Sequence, residues 1–131
     1  MSGIWRLSRV KSSFSGAAPA SRTMKVDLSA GGLTVVIETV VNNGRGADEG
    51  QQIVRYSAKL DGQDNPIDGS ALDRIAFRRI GPRVLERTGK VRGEATETQR
   101  WTLSPDGKVL TLSTMGSSDT EDYSRTEVFE R

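Results

Sequence analysis

The 131 residues suffice for one domain with a real core and are too few for two. The chain has no cysteine and no histidine, which excludes disulfides, thiolate nucleophiles, zinc–cysteine sites, histidine triads and the commonest general base. Lysine and arginine number 19 against 17 aspartates and glutamates, interspersed without the basic run of a nucleic-acid binder, so neither a nucleic-acid partner nor a metal or cofactor is expected.

No apolar stretch approaches a membrane span, and Met1-Ser2-Gly3-Ile4-Trp5 does not read as a signal peptide. The chain as it stands reads as cytoplasmic; a leader removed before residue 1 would make it periplasmic or secreted. Gly3–Leu7 reads as a first strand, with Trp5 and Leu7 on one face. Residues 11–21 form a loop or a single irregular turn, because Gly16 and Pro19 interrupt any helix and Phe14 alone can pin the segment down. Residues 23–28 alternate, with Met24, Val26 and Leu28 opposing Lys25 and Asp27. Gly31-Gly32 turns the chain into residues 33–41, where Leu33, Val35, Ile37, Thr39 and Val41 share a face. Residues 42–50 are a polar, glycine-rich turn.

In residues 53–60, Val54, Tyr56, Ala58 and Leu60 oppose Arg55, Ser57 and Lys59. Asp61-Gly62, Asn65-Pro66 and Asp68-Gly69-Ser70 then break the chain. Residues 72–80 place Ile75, Phe77 and Arg79 on one face, and Gly81-Pro82 leads into residues 83–91. Residues 96–103 and 108–114 flank Ser104-Pro105-Asp106-Gly107. Pro105 presets φ for the second position of a type I turn, Asp106 suits the third and Gly107 the left-handed bulge position, which predicts a β-hairpin. Residues 116–122 make the last turn and 123–131 the last strand.

Nine or ten short strands joined by turns leave no room for crossover helices. They stack as a sandwich or close as an antiparallel up-and-down barrel of about eight to ten strands, and closure, which removes exposed edges, favours the barrel. The fold class is all-β and residues 1–131 form one barrel domain, with helix limited to a turn near residues 14–21 or 69–72.

Gly3-Ile4-Trp5 matches the Gly-x-Trp of lipocalin-like barrels, and Lys11-Ser12-Ser13-Phe14 followed by Gly16-Ala17-Ala18-Pro19 looks like the segment after their first strand. With Tyr56-Ser57-Ala58-Lys59-Leu60-Asp61-Gly62, Pro66 and Ser104-Pro105-Asp106-Gly107-Lys108, most of the chain resembles small uncharacterised bacterial lipocalin-like (calycin-type) proteins. The resemblance implies a calyx that binds a small hydrophobic molecule, and an arginine, Arg125 or Arg131, packed over Trp5. The chain departs from lipocalins in having no clear helix near either terminus.

With the more apolar strand faces inward, the interior holds Met24, Val35, Tyr56, Ile75 and Phe77, together with Arg79 and, depending on register, Leu85 with Arg87. The hairpin offers two faces. One carries Thr98, Arg100, Thr102, Leu110, Leu112 and Thr114; the other carries Gln99, Trp101, Leu103, Val109 and Thr111. Aromatic bias favours the second inside, the resemblance favours the first, and the first is adopted.

Arg79 and Arg100 then share an interior with Tyr56, where a buried guanidinium must meet a carboxylate of the protein or of a ligand. The functional reading is an arginine–tyrosine clamp on an amphipathic acid, lined by Phe77, Leu110 and Leu112 and extended by Tyr123 and Arg125 on the last strand. The alternative for these arginines is pairing with Glu86, Glu97 or Glu127, or a place outside. Trp5 is read as core.

A barrel enzyme of isomerase, cyclase or lyase type would rest on Glu127, Tyr56 and Arg125. A structural or interaction domain with a filled core is the third reading. A buried carboxylate free of any cation would favour the enzyme, and a solid interior the structural domain. Trp101, Leu103 and Val109 left outside would form an apolar patch, so a homodimer through the hairpin is expected.

Overall fold

The computed structural model describes residues 1–16, 18–42 and 48–131. Eleven strands make up its regular structure, with no helix among the described residues. They are β1 (Gly3–Leu7), β2 (Ser13–Phe14), β3 (Ser21–Ser29), β4 (Gly32–Asn42), β5 (Asp48–Ala58) and β6 (Asn65–Asp68). There follow β7 (Arg74–Gly81), β8 (Val84–Val91), β9 (Glu94–Leu103), β10 (Val109–Ser117) and β11 (Asp122–Glu130). Ten of them, all but β2, pair antiparallel in sequence order. β11 returns to β1 through Arg6 opposite Glu130 and Leu7 opposite Phe129, and this closes the barrel. β2 adds a short piece to the same edge of β11, with Phe14 opposite Arg125. The result is a closed all-β barrel, consistent with a calycin-like fold.

Alternation explains the core. Met24, Val26, Leu33, Val35, Tyr56, Ala58, Ile75 and Phe77 are all buried, as their periodicity predicts. Of the glycine-rich turn expected at 42–50, residues 43–47 lie outside the described ones, and β5 already begins at Asp48. Asn65-Pro66, read as a break, opens the short strand β6. That strand tolerates proline because its pairing is brief, with two residue pairs to each neighbour.

The hairpin of β9 and β10 corrects the expected register. Gly107 N donates to Ser104 O at 2.9 Å and Gly107 has a φ of 72°, as the turn chemistry requires. The ladder, however, resumes with Ser104 N donating to Val109 O at 2.8 Å, so Lys108 is also in the loop. One extra loop residue shifts the pairing by one, and a shift of one turns one whole strand over. Trp101 therefore faces Leu112, Gln99 faces Thr114, and Leu103 faces Leu110. The interior takes the odd residues of β9 and the even residues of β10, which is neither of the two faces read from the sequence. Trp101 is 0% exposed, so the apolar patch behind the expected homodimer does not exist.

Opposite the cavity described below, the barrel is closed by Arg131. Its guanidinium carbon lies 4.5 Å from the Trp5 ring centroid, and it donates to Gly107 O at 2.8 Å and Ser2 O at 2.7 Å. Of the two arginines that the resemblance offers for this place, Arg131 fills it.

Deleting Lys108 would restore a three-residue loop and force either Trp101 or the Leu110–Leu112 pair outward. The deletion variant should lose cooperative unfolding in urea, whereas Lys108→Ala should stay within about 0.5 kcal/mol of the parent.

Candidate functional site

The interior changes character along the barrel axis. Near the Trp5–Arg131 end it is packed solid. Phe77 and Trp101 meet edge to face with centroids 5.4 Å apart, and Tyr56 tilts against Phe77 at 5.8 Å. Towards the other end, where the β2–β3, β6–β7 and β10–β11 connections gather, a cavity of about 470 Å³ opens to solvent. Its mouth is bordered by Phe14, Pro19 and Leu72 and by the exposed acids Glu121 and Asp122.

Besides the two acids at the mouth, five charged side chains line this cavity, and they form a chain of contacts. Arg87 on β8 donates through Nη2 to Glu97 Oε2 on β9. Tyr123 Oη donates to Glu97 Oε1 at 2.7 Å, and Arg125 Nη2 lies 3.8 Å from the same oxygen. Arg125 Nε donates to Glu127 Oε1 at 2.9 Å, and Arg22 on β3 donates to Glu127 Oε2 at 2.5 Å and to Thr39 Oγ1 at 2.9 Å. The Arg87 and Glu97 side chains are each 6% exposed. Beside them, Trp101 Nε1 donates to Gln99 Oε1 at 2.7 Å and Gln99 Nε2 to Thr114 Oγ1 at 2.9 Å.

Backbone geometry makes one of these contacts possible. Gly116 lies between Glu97 and Tyr123 in the same row of the sheet. A Cβ on Gly116 would come within 2.4 Å of the Tyr123 ring, so only glycine lets the ring cross its neighbour and reach Glu97.

Two buried polar atoms have no hydrogen-bond partner among the described residues, Tyr56 Oη and Arg87 Nε. The two groups are neighbours, and each favours the charged form of the other. Burial pushes the Tyr56 phenol up to about 12, although nearby Arg87 pulls the other way. Burial likewise lowers the Arg87 pKa, opposed by Tyr56. The phenol thus stays a donor at any ordinary pH.

The expected site residues divide accordingly. Tyr123, Arg125, Glu127 and Leu112 line the cavity. Phe77, Tyr56 and Leu110 are buried in the core and do not line it. Arg100 faces outward because the hairpin register is shifted; its side chain is 56% exposed and 3.5 Å from Glu86. Arg79 is exposed at the opposite end of the barrel, next to the β7 bulge at Arg79/Gly81. Neither reaches the cavity. Its guanidiniums are Arg87, which the β8 register left open, Arg125, and Arg22, which the sequence reading missed. Extending the alternation of Met24, Val26 and Leu28 by one step towards the N-terminus would have found Arg22. Both buried carboxylates, Glu97 and Glu127, lie against cations.

In comparison with known proteins, no family model matches the chain and no curated protein matches it. The cavity and its charges are therefore the basis of the functional reading.

Two measurements test this geometry. Gly116→Ala should destabilise the fold by about 1–3 kcal/mol through overpacking, and by much less in a Tyr123→Ala background, which a double-mutant cycle would reveal. The Tyr56 pKa is raised from 10 in the unfolded chain to about 12 in the fold, so its contribution to stability is whole below pH 10 and is lost as pH rises through 12. Urea midpoints should fall across this window in the parent and fall less in Tyr56→Phe.

Proposed function

We propose that the barrel binds a small amphipathic molecule bearing one acidic group, in the manner of lipocalin-like carriers. The observation that carries this reading is the charge balance of the cavity. Arg22, Arg87 and Arg125 stand against Glu97 and Glu127, one more cation than anion. Glu121 and Asp122 also border the cavity, but they sit at the mouth in water, where their charge is screened. Arg87 is buried and paired with Glu97, whereas Arg22 and Arg125 are 20% and 26% exposed and share Glu127, so one positive charge is left over facing the cavity, and a ligand carboxylate meets it with charge-assisted hydrogen bonds.

The open cavity supports binding over a filled structural core. The Gly3–Trp5 motif with Arg131 over Trp5 supports the lipocalin-like character. A buried carboxylate free of cations would support the enzymatic alternative, and Glu97 and Glu127 both have guanidinium partners.

The test is a titration of aromatic and alkyl carboxylic acids and their methyl esters, followed by tryptophan fluorescence. Acids should bind tighter than their esters by about 1.5–3 kcal/mol. In Arg87→Met/Glu97→Gln, which removes the buried pair together, that preference should shrink to under about 1 kcal/mol. Equal affinities of the parent for acid and ester would sink the reading.

A further inference from the structure

The cavity is polarised across its width. At mid-height one wall consists of Met24, Ile37 and Val54, paired in register across β3, β4 and β5. The other wall presents Arg87, Gln99 and Arg125, held in one register row across β8 to β11 with Thr114 behind Gln99. In the ring of ten strands β4 and β9 are five apart, so these walls face each other. At this level one wall offers aliphatic and thioether groups and the other guanidinium and amide groups; nearer the mouth the first wall becomes polar, with Arg22, Thr39 and Gln52 paired in register.

This sidedness selects a shape of ligand. A straight-chain acid separates its polarity along its length, so its methylenes would lie against the charged wall and strip water from arginines without replacing it. A flat ring acid with its polar groups at one edge meets both walls. Its apolar edge fits against Met24, Ile37 and Val54, and its polar edge meets Arg87, Gln99 and Arg125. The volume of about 470 Å³ is in the lower half of the usual range for ligand cavities, which suits a compact ring system.

Resting on the proposed binding function, we infer that the ligand is a compact, rigid ring acid with its carboxylate and a second polar group adjacent on one edge and an apolar edge opposite, and not a linear fatty acid. Two isomers of one formula separate shape from general hydrophobicity. In 3-hydroxy-2-naphthoate both polar groups share an edge; in 6-hydroxy-2-naphthoate the hydroxyl is on the far edge, where it would face Met24 and Val54. Decanoate serves as the linear acid. Calorimetric titration of the parent protein should give 3-hydroxy-2-naphthoate at least a tenfold lower Kd than either of the others. In Met24→Gln, which makes the apolar wall polar, the gap between the two isomers should narrow at least threefold. Decanoate or the 6-hydroxy isomer binding as tightly as the 3-hydroxy isomer would overturn this inference and leave acid binding intact. If none of the acids binds better than its methyl ester, the underlying binding function fails as well.

Discussion

Ten strands form a barrel only if the last finds the first, and here that seam is short. Two residue pairs join β11 to β1 before β1 ends at Leu7. The break between β1 and β2 is bridged by Ser8 N donating to Val128 O at 2.8 Å and by Ser12 Oγ, which accepts from Val128 N at 2.9 Å and donates to Ser8 O at 2.5 Å. Without this seam both edges would present unpaired backbone groups to solvent. The interior charges would then sit in water, where their pairing is worth little. The stack of Arg131 on Trp5 reinforces the same junction, because one guanidinium ties the chain's last residue to Ser2 near its start and to Gly107 in the hairpin loop.

Inside the closed barrel, the cost of desolvating charge dominates. Glu97 gathers Arg87, Tyr123 and Arg125, and Glu127 gathers Arg22 and Arg125, so β3, β8, β9 and β11 are tied together along one arc of the wall, over β10 and β1. Buried ion pairs of this kind add little net stability compared with apolar residues of similar volume. A core of leucine and valine would fold as well.

Much of the architecture was legible along the chain because a strand's side chains alternate with a period of two, and a buried face leaves that period in the sequence. Met24, Val26, Val35, Tyr56 and Phe77 declare their side locally. The site was legible only in part. Tyr123, Arg125 and Glu127 follow from alternation in the last strand. Arg100 was misplaced because parity across a hairpin depends on one loop residue, Lys108, whose inclusion the turn chemistry of Pro105-Asp106-Gly107 does not decide. Arg79 was misplaced because the bulge at Arg79/Gly81 ends the regular alternation at the barrel rim.

The sequence by itself determined the antiparallel all-β class, the positions of most turns and the exclusion of histidine and cysteine chemistry, since these depend on residue type and local period. Tertiary structure alone decided which arginines are buried, that Tyr123 reaches Glu97 across Gly116, and that an apolar wall faces a charged one. Those facts depend on hairpin register and on closure of the sheet. Both are set by the simultaneous pairing of strands more than a hundred residues apart, Arg6 with Glu130 among them.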